Sequence, residues 1–67
     1  MNNISKLADV RKAQGITQEQ LSVLSGVSRG SIARYETGKV SPTVRVLQKL
    51  AKALRVSVAE LVGRKGA

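Results

Sequence analysis

The sequence predicts an all-α fold, a compact bundle of about five short helices, and three observations lead there. Apolar residues recur every three or four positions in five successive segments. A capping residue, a glycine or a proline punctuates the chain between them. No segment alternates apolar with polar long enough for a strand, since "VSV" at 56–58 is too short and falls across a cap. The 67 residues suit one domain over 1–67 with its core at 3–62. A chain of this size buries only about 60% of the surface its unfolded form exposes.

The elements follow in order. The first helix is expected over Asn3 to Gln14, where Ile4, Leu7, Val10 and Arg11 share a face and Gly15 stops the run. Thr17 with Gln20 three positions on has the capping-box pattern, in which hydroxyl and amide each satisfy an orphan backbone donor. That second helix runs to Ser25 and ends at Gly26. Ser28 caps a third, with Ile32 and Tyr35 at helical spacing and Gly38 as its close. Ser41 as cap and Pro42 in the first turn open a fourth, "TVRVLQKLAKAL", with Val44, Leu47, Leu50, Ala51 and Leu54 inward. Ser57 and Glu60 repeat the capping-box spacing before a brief last helix carrying Leu61, and the tail at 63–67, "GRKGA", is expected to fray.

Charge and composition narrow the function. Twelve Lys and Arg against four Asp and Glu give a formal charge of +8, which suits a polyanionic partner or a merely solvated basic surface. His and Cys are both absent. That removes disulfides, thiolate and imidazole metal ligands and the usual nucleophile–base pairs, so no enzyme, metal or cofactor is expected. No apolar run approaches the roughly 18 residues of a membrane span, and the N-terminus lacks a signal-peptide apolar region. A cytoplasmic protein without a membrane partner is the expectation.

The stretch from Thr17 to Thr37 is the most informative. Two helices of about eight residues, joined by three or four that include a glycine, make a helix-turn-helix when small residues let the axes approach. Here Ser22 and Ser25 are small, Gly26 can take positive φ, and Val27 and Ile32 can pin the second helix to the core. With Ile32 and Tyr35 buried, the 100° step turns Arg29, Gly30, Ala33 and Arg34 outward. Arg forks match guanine O6 and N7 in a major groove about 12 Å wide, although arginines there also serve phosphate. Gly30 costs its helix about 1 kcal/mol relative to Ala, as an opening for close approach or as a tolerated first-turn residue.

These pieces together carry a resemblance. "TQEQL", "GVSRGSIARYE", "GK", "P" and "LAKAL", spread from Leu7 to Leu61, resemble the Cro/C1-type (XRE) helix-turn-helix family of lambda-repressor-like DNA-binding domains. The resemblance implies base or adjacent phosphate contacts from Ser28, Arg29, Gly30 and Arg34. It implies backbone contacts from Thr17, from Gln18 through side chain and amide, and from Thr37 and Lys39, with Ser41 and Thr43 as weaker candidates. Read alone, Ser28, Ser41 and Thr43 are caps and Lys39 is a solvated charge. Arg11 and Glu36 match a family pair that ties the first helix to the end of the third. Tyr35 falls at an apolar position. Two features depart from the family: Arg55 stands where relatives often end a helix with glycine, and Val23 and Leu24 stand where they often carry polar residues.

The function this implies is sequence-specific binding of double-stranded DNA by a transcriptional regulator. A repressor acting as a homodimer on a palindromic operator is expected, with half-sites about 34–36 Å apart and Val58, Leu61 and Val62 as dimer candidates. An antitoxin that also binds a toxin is the alternative, and polymerase is a further possible protein partner. A single-stranded RNA module is disfavoured, because Tyr35 is the one aromatic available for stacking.

Overall fold

The computed structural model describes residues 6–62. Five helices follow one another: α1 Leu7–Ala13, α2 Gln18–Ser25, α3 Arg29–Thr37, α4 Val44–Leu54 and α5 Val58–Val62. There is no strand among the described residues. α2 packs on both α3 and α4, α1 on α3 and α5, and α4 on α5. Every helix sends at least one fully buried aliphatic side chain to the common core: Leu7, Leu21, Ile32, Leu50 with Leu54, and Leu61. Val27, in the turn between α2 and α3, is also buried and anchors that turn. Tyr35 packs at the edge of the core, as do Val10 and Ile16. Burying a side chain of this size contributes about 1.5–3 kcal/mol, and helices this short depend on that burial because they are marginal in isolation.

The caps explain where each helix begins. Thr17 and Gln20 form the reciprocal box, Gln20 N–H donating to Thr17 Oγ1 at 3.0 Å and Thr17 N–H to Gln20 Oε1 at 2.8 Å. Ser28 Oγ accepts the Ser31 N–H at 3.2 Å. The fourth helix corrects the sequence expectation. Its cap is Thr43, whose hydroxyl accepts the Val46 N–H at 3.2 Å, and Ser41 and Pro42 lie before the helix. Thr43 itself has the extended backbone of a cap, and the helix starts one residue after it, at Val44. Val44, expected inward, is 68% exposed. It opens the helix two turns ahead of buried Ala51, with which it shares a side by the helical step.

The first helix is described from Leu7. Asn3 and Ile4 lie outside the described residues, as does the tail at 63–67; Lys6 holds the cap position without a side-chain cap bond, and its N–H donates to Leu61 O at 3.3 Å. At its other end Gln14 is the C-cap and Gly15 takes φ 70°. A link invisible in the sequence joins this end to α4: Gln14 Nε2 donates to Leu54 O at 2.6 Å.

α4 closes with a left-handed residue, as α2 and α3 do at Gly26 and Gly38, but here that residue is Arg55, at φ 58°. The Val56 N–H reaches back to Ala51 O at 3.0 Å, completing a Schellman-type turn around it. A side chain in this conformation is strained where glycine is not. Arg55→Gly is therefore expected to stabilise the fold by about 1 kcal/mol and to raise the melting temperature by roughly 4–8 °C in a domain this small. A thermal melt with an unchanged or lower midpoint contradicts the strained turn.

Candidate functional site

α3 is buried along one side by Ile32 and edged by Tyr35, so its other side is fixed outward. Ser28, Arg29, Gly30 and Arg34 are all exposed, and Ala33 is half-buried. By the helical step Gly30 and Arg34 lie opposite Ile32, while Arg29, at the first position of α3, is offset about 140° from Arg34. Among the described residues neither Arg29 nor Arg34 is ion-paired. Both guanidinium groups are therefore open to a partner. A Cβ built on Gly30 meets nothing within 4 Å. The fold thus has room for a side chain at this position and does without one.

The residues flanking α3 line up less uniformly. Thr17, Thr37, Lys39, Ser41 and Thr43 are exposed, but three of them already serve the backbone. Thr17 and Thr43 are caps, and Thr37 Oγ1 donates to Arg34 O at 3.1 Å. Ser28 Oγ, besides accepting the Ser31 amide, donates to Ser31 Oγ at 2.9 Å. The pair brings Ser31, which the sequence did not single out, to the first turn of α3. Lys39 and Ser41 follow Gly38 on the loop into α4.

A polar clamp holds this surface in place. Arg11 Nε donates to Glu36 Oε2 at 2.7 Å, and Nη2 donates to Oε1 at 3.1 Å, a two-point pair between α1 and α3. The remaining Nη1 donates to Ile16 O at 2.8 Å, in the loop that leads into α2. Gln18, the first residue of α2, donates its Nε2 to Glu36 Oε1 at 2.9 Å. One carboxylate thus joins α1, α2 and α3. Gln18 Nε2 is turned inward to Glu36, which leaves its carbonyl oxygen and the open amides of the first turn of α2 as the polar groups there.

Burial of Glu36 by itself would push its carboxyl up. Hydrogen bonds from Arg11 and Gln18, with the attraction of Arg11 and Lys12, outweigh burial and hold it below the usual carboxylate range. The same hydrogen bond from Arg11 raises the guanidinium further above its already high value.

Elsewhere on the surface, Val23 and Leu24 of α2 are 80% and 58% exposed. They line a shallow groove with Ile16, Glu19 and Gln20. Of the dimer candidates, Leu61 is fully buried in the core and is thereby withdrawn, while Val58 and Val62 remain half-buried. No helix among the described residues is long and apolar enough to cross a membrane.

Comparison with known proteins agrees with this arrangement. A helix-turn-helix family model matches residues 7–61. The cryptic phage CTXphi transcriptional repressor RstR of Vibrio cholerae is 44% identical over 59 residues, covering 88% of this chain and 53% of that protein. The HTH-type transcriptional regulator PuuR of Escherichia coli is 38% identical over 55 residues, covering 82% of this chain and 30% of that protein. The chain therefore spans about half the length of the first of these relatives and less of the second. Among solved structures, the restriction-modification controller protein C.AhdI from Aeromonas hydrophila superposes with a TM-score of 0.82 at 34% identity, covering 87% of this chain and 88% of that one.

The clamp has a pH signature. A carboxyl whose folded value is depressed contributes stability that is fully present above its ordinary value of about 4.3 and is lost as pH falls through the lower folded value. Glu36→Gln is expected to remove this acid limb and to cost about 3 kcal/mol at neutral pH, because Arg11 is left buried and unpaired. Urea midpoints measured from neutral to acid pH check this, and parallel curves for the two proteins contradict it.

Proposed function

This chain belongs to the Cro/C1-type (XRE) helix-turn-helix family, and from that membership we propose that it is a DNA-binding transcriptional regulator that represses transcription by reading a palindromic operator as a homodimer. The observation that carries the reading is that Arg29 and Arg34 are both exposed on the helix that buried Ile32 fixes and that, among the described residues, neither is ion-paired. In this reading α3 enters the major groove, and the two arginines take the acceptor edges of guanine. Ser28 and Gly30 sit at the base edges of its first turn. Thr17, Thr37, Lys39, Ser41, Thr43 and the amide end of α2 at Gln18 line the sugar-phosphate backbone on either side. Lys and Arg first hold the domain to any duplex by releasing counterions, and base contacts then select the site.

A single domain of this kind buries only about 600–1,000 Å² on DNA, which favours two copies on a two-fold site. Val58 and Val62 on α5 are the apolar residues available for their contact. The groove at Val23 and Leu24 supports a second reading, in which the regulator also binds a protein partner such as a toxin or polymerase. A stoichiometric partner co-purifying with the wild type and lost on Val23→Ser with Leu24→Ser distinguishes that reading.

Selection of bound sites from a random duplex pool tests the main proposal, which expects a palindromic consensus. Arg34→Ala is expected to lose about 1–3 kcal/mol of discrimination at one or two base pairs. Lys39→Ala is expected to weaken all duplexes alike and to reduce the log–log salt slope by about 1. Equal losses on operator and random DNA for Arg34→Ala would assign that arginine to phosphate. Gly30→Ala is expected to stabilise the free domain by up to about 1 kcal/mol while lowering operator affinity. If affinity holds or rises with stability, Gly30 has no part in the approach to DNA.

A further inference from the structure

We infer that α4 carries a second DNA-binding surface, a ridge of Arg45, Lys49 and Lys52 that holds another segment of duplex while α3 occupies the first. The inference rests on the DNA reading of α3 and goes beyond it. The three cations stand at i, i+4 and i+7 of one helix, so they share a side and span about 10 Å along the axis. All three are exposed. They lie opposite the side of α4 that carries Leu47, Leu50 and Leu54 into the core. α4 packs on α2, and α2 in turn packs on α3. The ridge therefore lies on the solvent side of α4, on a different helix from Arg29 and Arg34.

Its charge is uncompensated. α4 contains no carboxylate, and among the described residues none of the three cations is ion-paired. Like charges at i, i+3 and i, i+4 repel along a helix surface, and Arg45 sits in the first turn, at the positive end of the peptide dipoles. A cation in that turn and two like-charged neighbours below it oppose the stability of the isolated helix, and a row of anions relieves both. A duplex strand supplies such a row at one phosphate per about 3.4 Å of helix axis, so the ridge spans roughly three. Nothing in the ridge is aromatic or apolar, which suits phosphates and leaves bases unread. A lipid surface fits less well, because helices that lie on membranes insert an apolar face, and that of α4 is spent on the core. A domain with two such faces joins separate duplex segments.

The test uses the whole chain loaded on an immobilised duplex, with capture of a second, fluorescent duplex of random sequence as the readout. The wild type is expected to capture it, with capture falling steeply as salt rises. The variant Arg45→Gln/Lys49→Gln/Lys52→Gln is expected to keep the wild-type sequence preference on the immobilised duplex, to melt no lower than wild type, and to capture at least tenfold less. Arg45→Lys, which keeps the charge, is expected to behave as wild type. Equal capture by the triple variant, or none by the wild type, overturns the ridge and leaves the reading of α3 standing. Ridge-dependent binding to phosphatidylserine vesicles without duplex capture overturns it in favour of a membrane. Failure of the wild type to be retained on the immobilised duplex removes the reading of α3 and the ridge with it.

Discussion

The geometry of this domain depends on one carboxylate. Glu36 receives two hydrogen bonds from Arg11 and one from Gln18, and Arg11 reaches onward to the Ile16 carbonyl. Helices of seven, eight and nine residues do not hold their mutual angles by themselves. Apolar packing among Leu7, Leu21 and Ile32 draws α1, α2 and α3 together without prescribing a register, because dispersion and burial are non-directional. The clamp supplies direction. Its side chains are 10% and 7% exposed, so the pair is desolvated, and the cost of desolvation offsets much of its net contribution to stability. Fixing the end of α3 against α1 and the start of α2 sets how far the outward arginines stand from the open amides of α2.

With that frame set, the chain divides its chemistry cleanly. Six aliphatic side chains, at least one from each helix, form the buried centre. The cations are displayed. Four acids face twelve basic residues, and Glu36 is committed to the clamp, so the surface retains a strongly positive field. Such a field raises the encounter rate with a polyanion and depends on ionic strength. Two residues break local rules in this context. Gly30 sits in a helix with room for a side chain, and Arg55 adopts a backbone suited to glycine. The first lies on the proposed DNA surface, which gives it a functional reason. For the arginine, nothing in the structure explains why a non-glycine residue is kept.

Much of this was legible in the sequence because the signals are local. The Thr17/Gln20 box, the Ser28 cap and the glycine stops at 26 and 38 each involve residues within four positions, where spacing alone specifies the bond. Periodicity also placed Ile32 inward and Arg29 and Arg34 outward. Local ambiguity produced the misreading at α4, where two hydroxyls flank Pro42 and only the backbone geometry chooses between them. Val44 failed for a related reason, since periodicity names a side of a helix without saying how far packed neighbours extend along it. The links from Gln14 to Leu54 and from Gln18 to Glu36 join residues 40 and 18 apart. A glutamine amide carries no signature of such a partner, and these were beyond reach.

The central claim is that α3 presents its outward arginines to the major groove. Dimethyl sulfate modifies guanine N7 in the major groove and adenine N3 in the minor groove, so protection of a selected duplex by the intact chain reports which groove is filled. The account predicts protection of guanine N7 within each half-site, relieved at particular guanines when Arg29 or Arg34 is replaced. Protection confined to adenine N3, or guanine protection indifferent to both replacements, would contradict it.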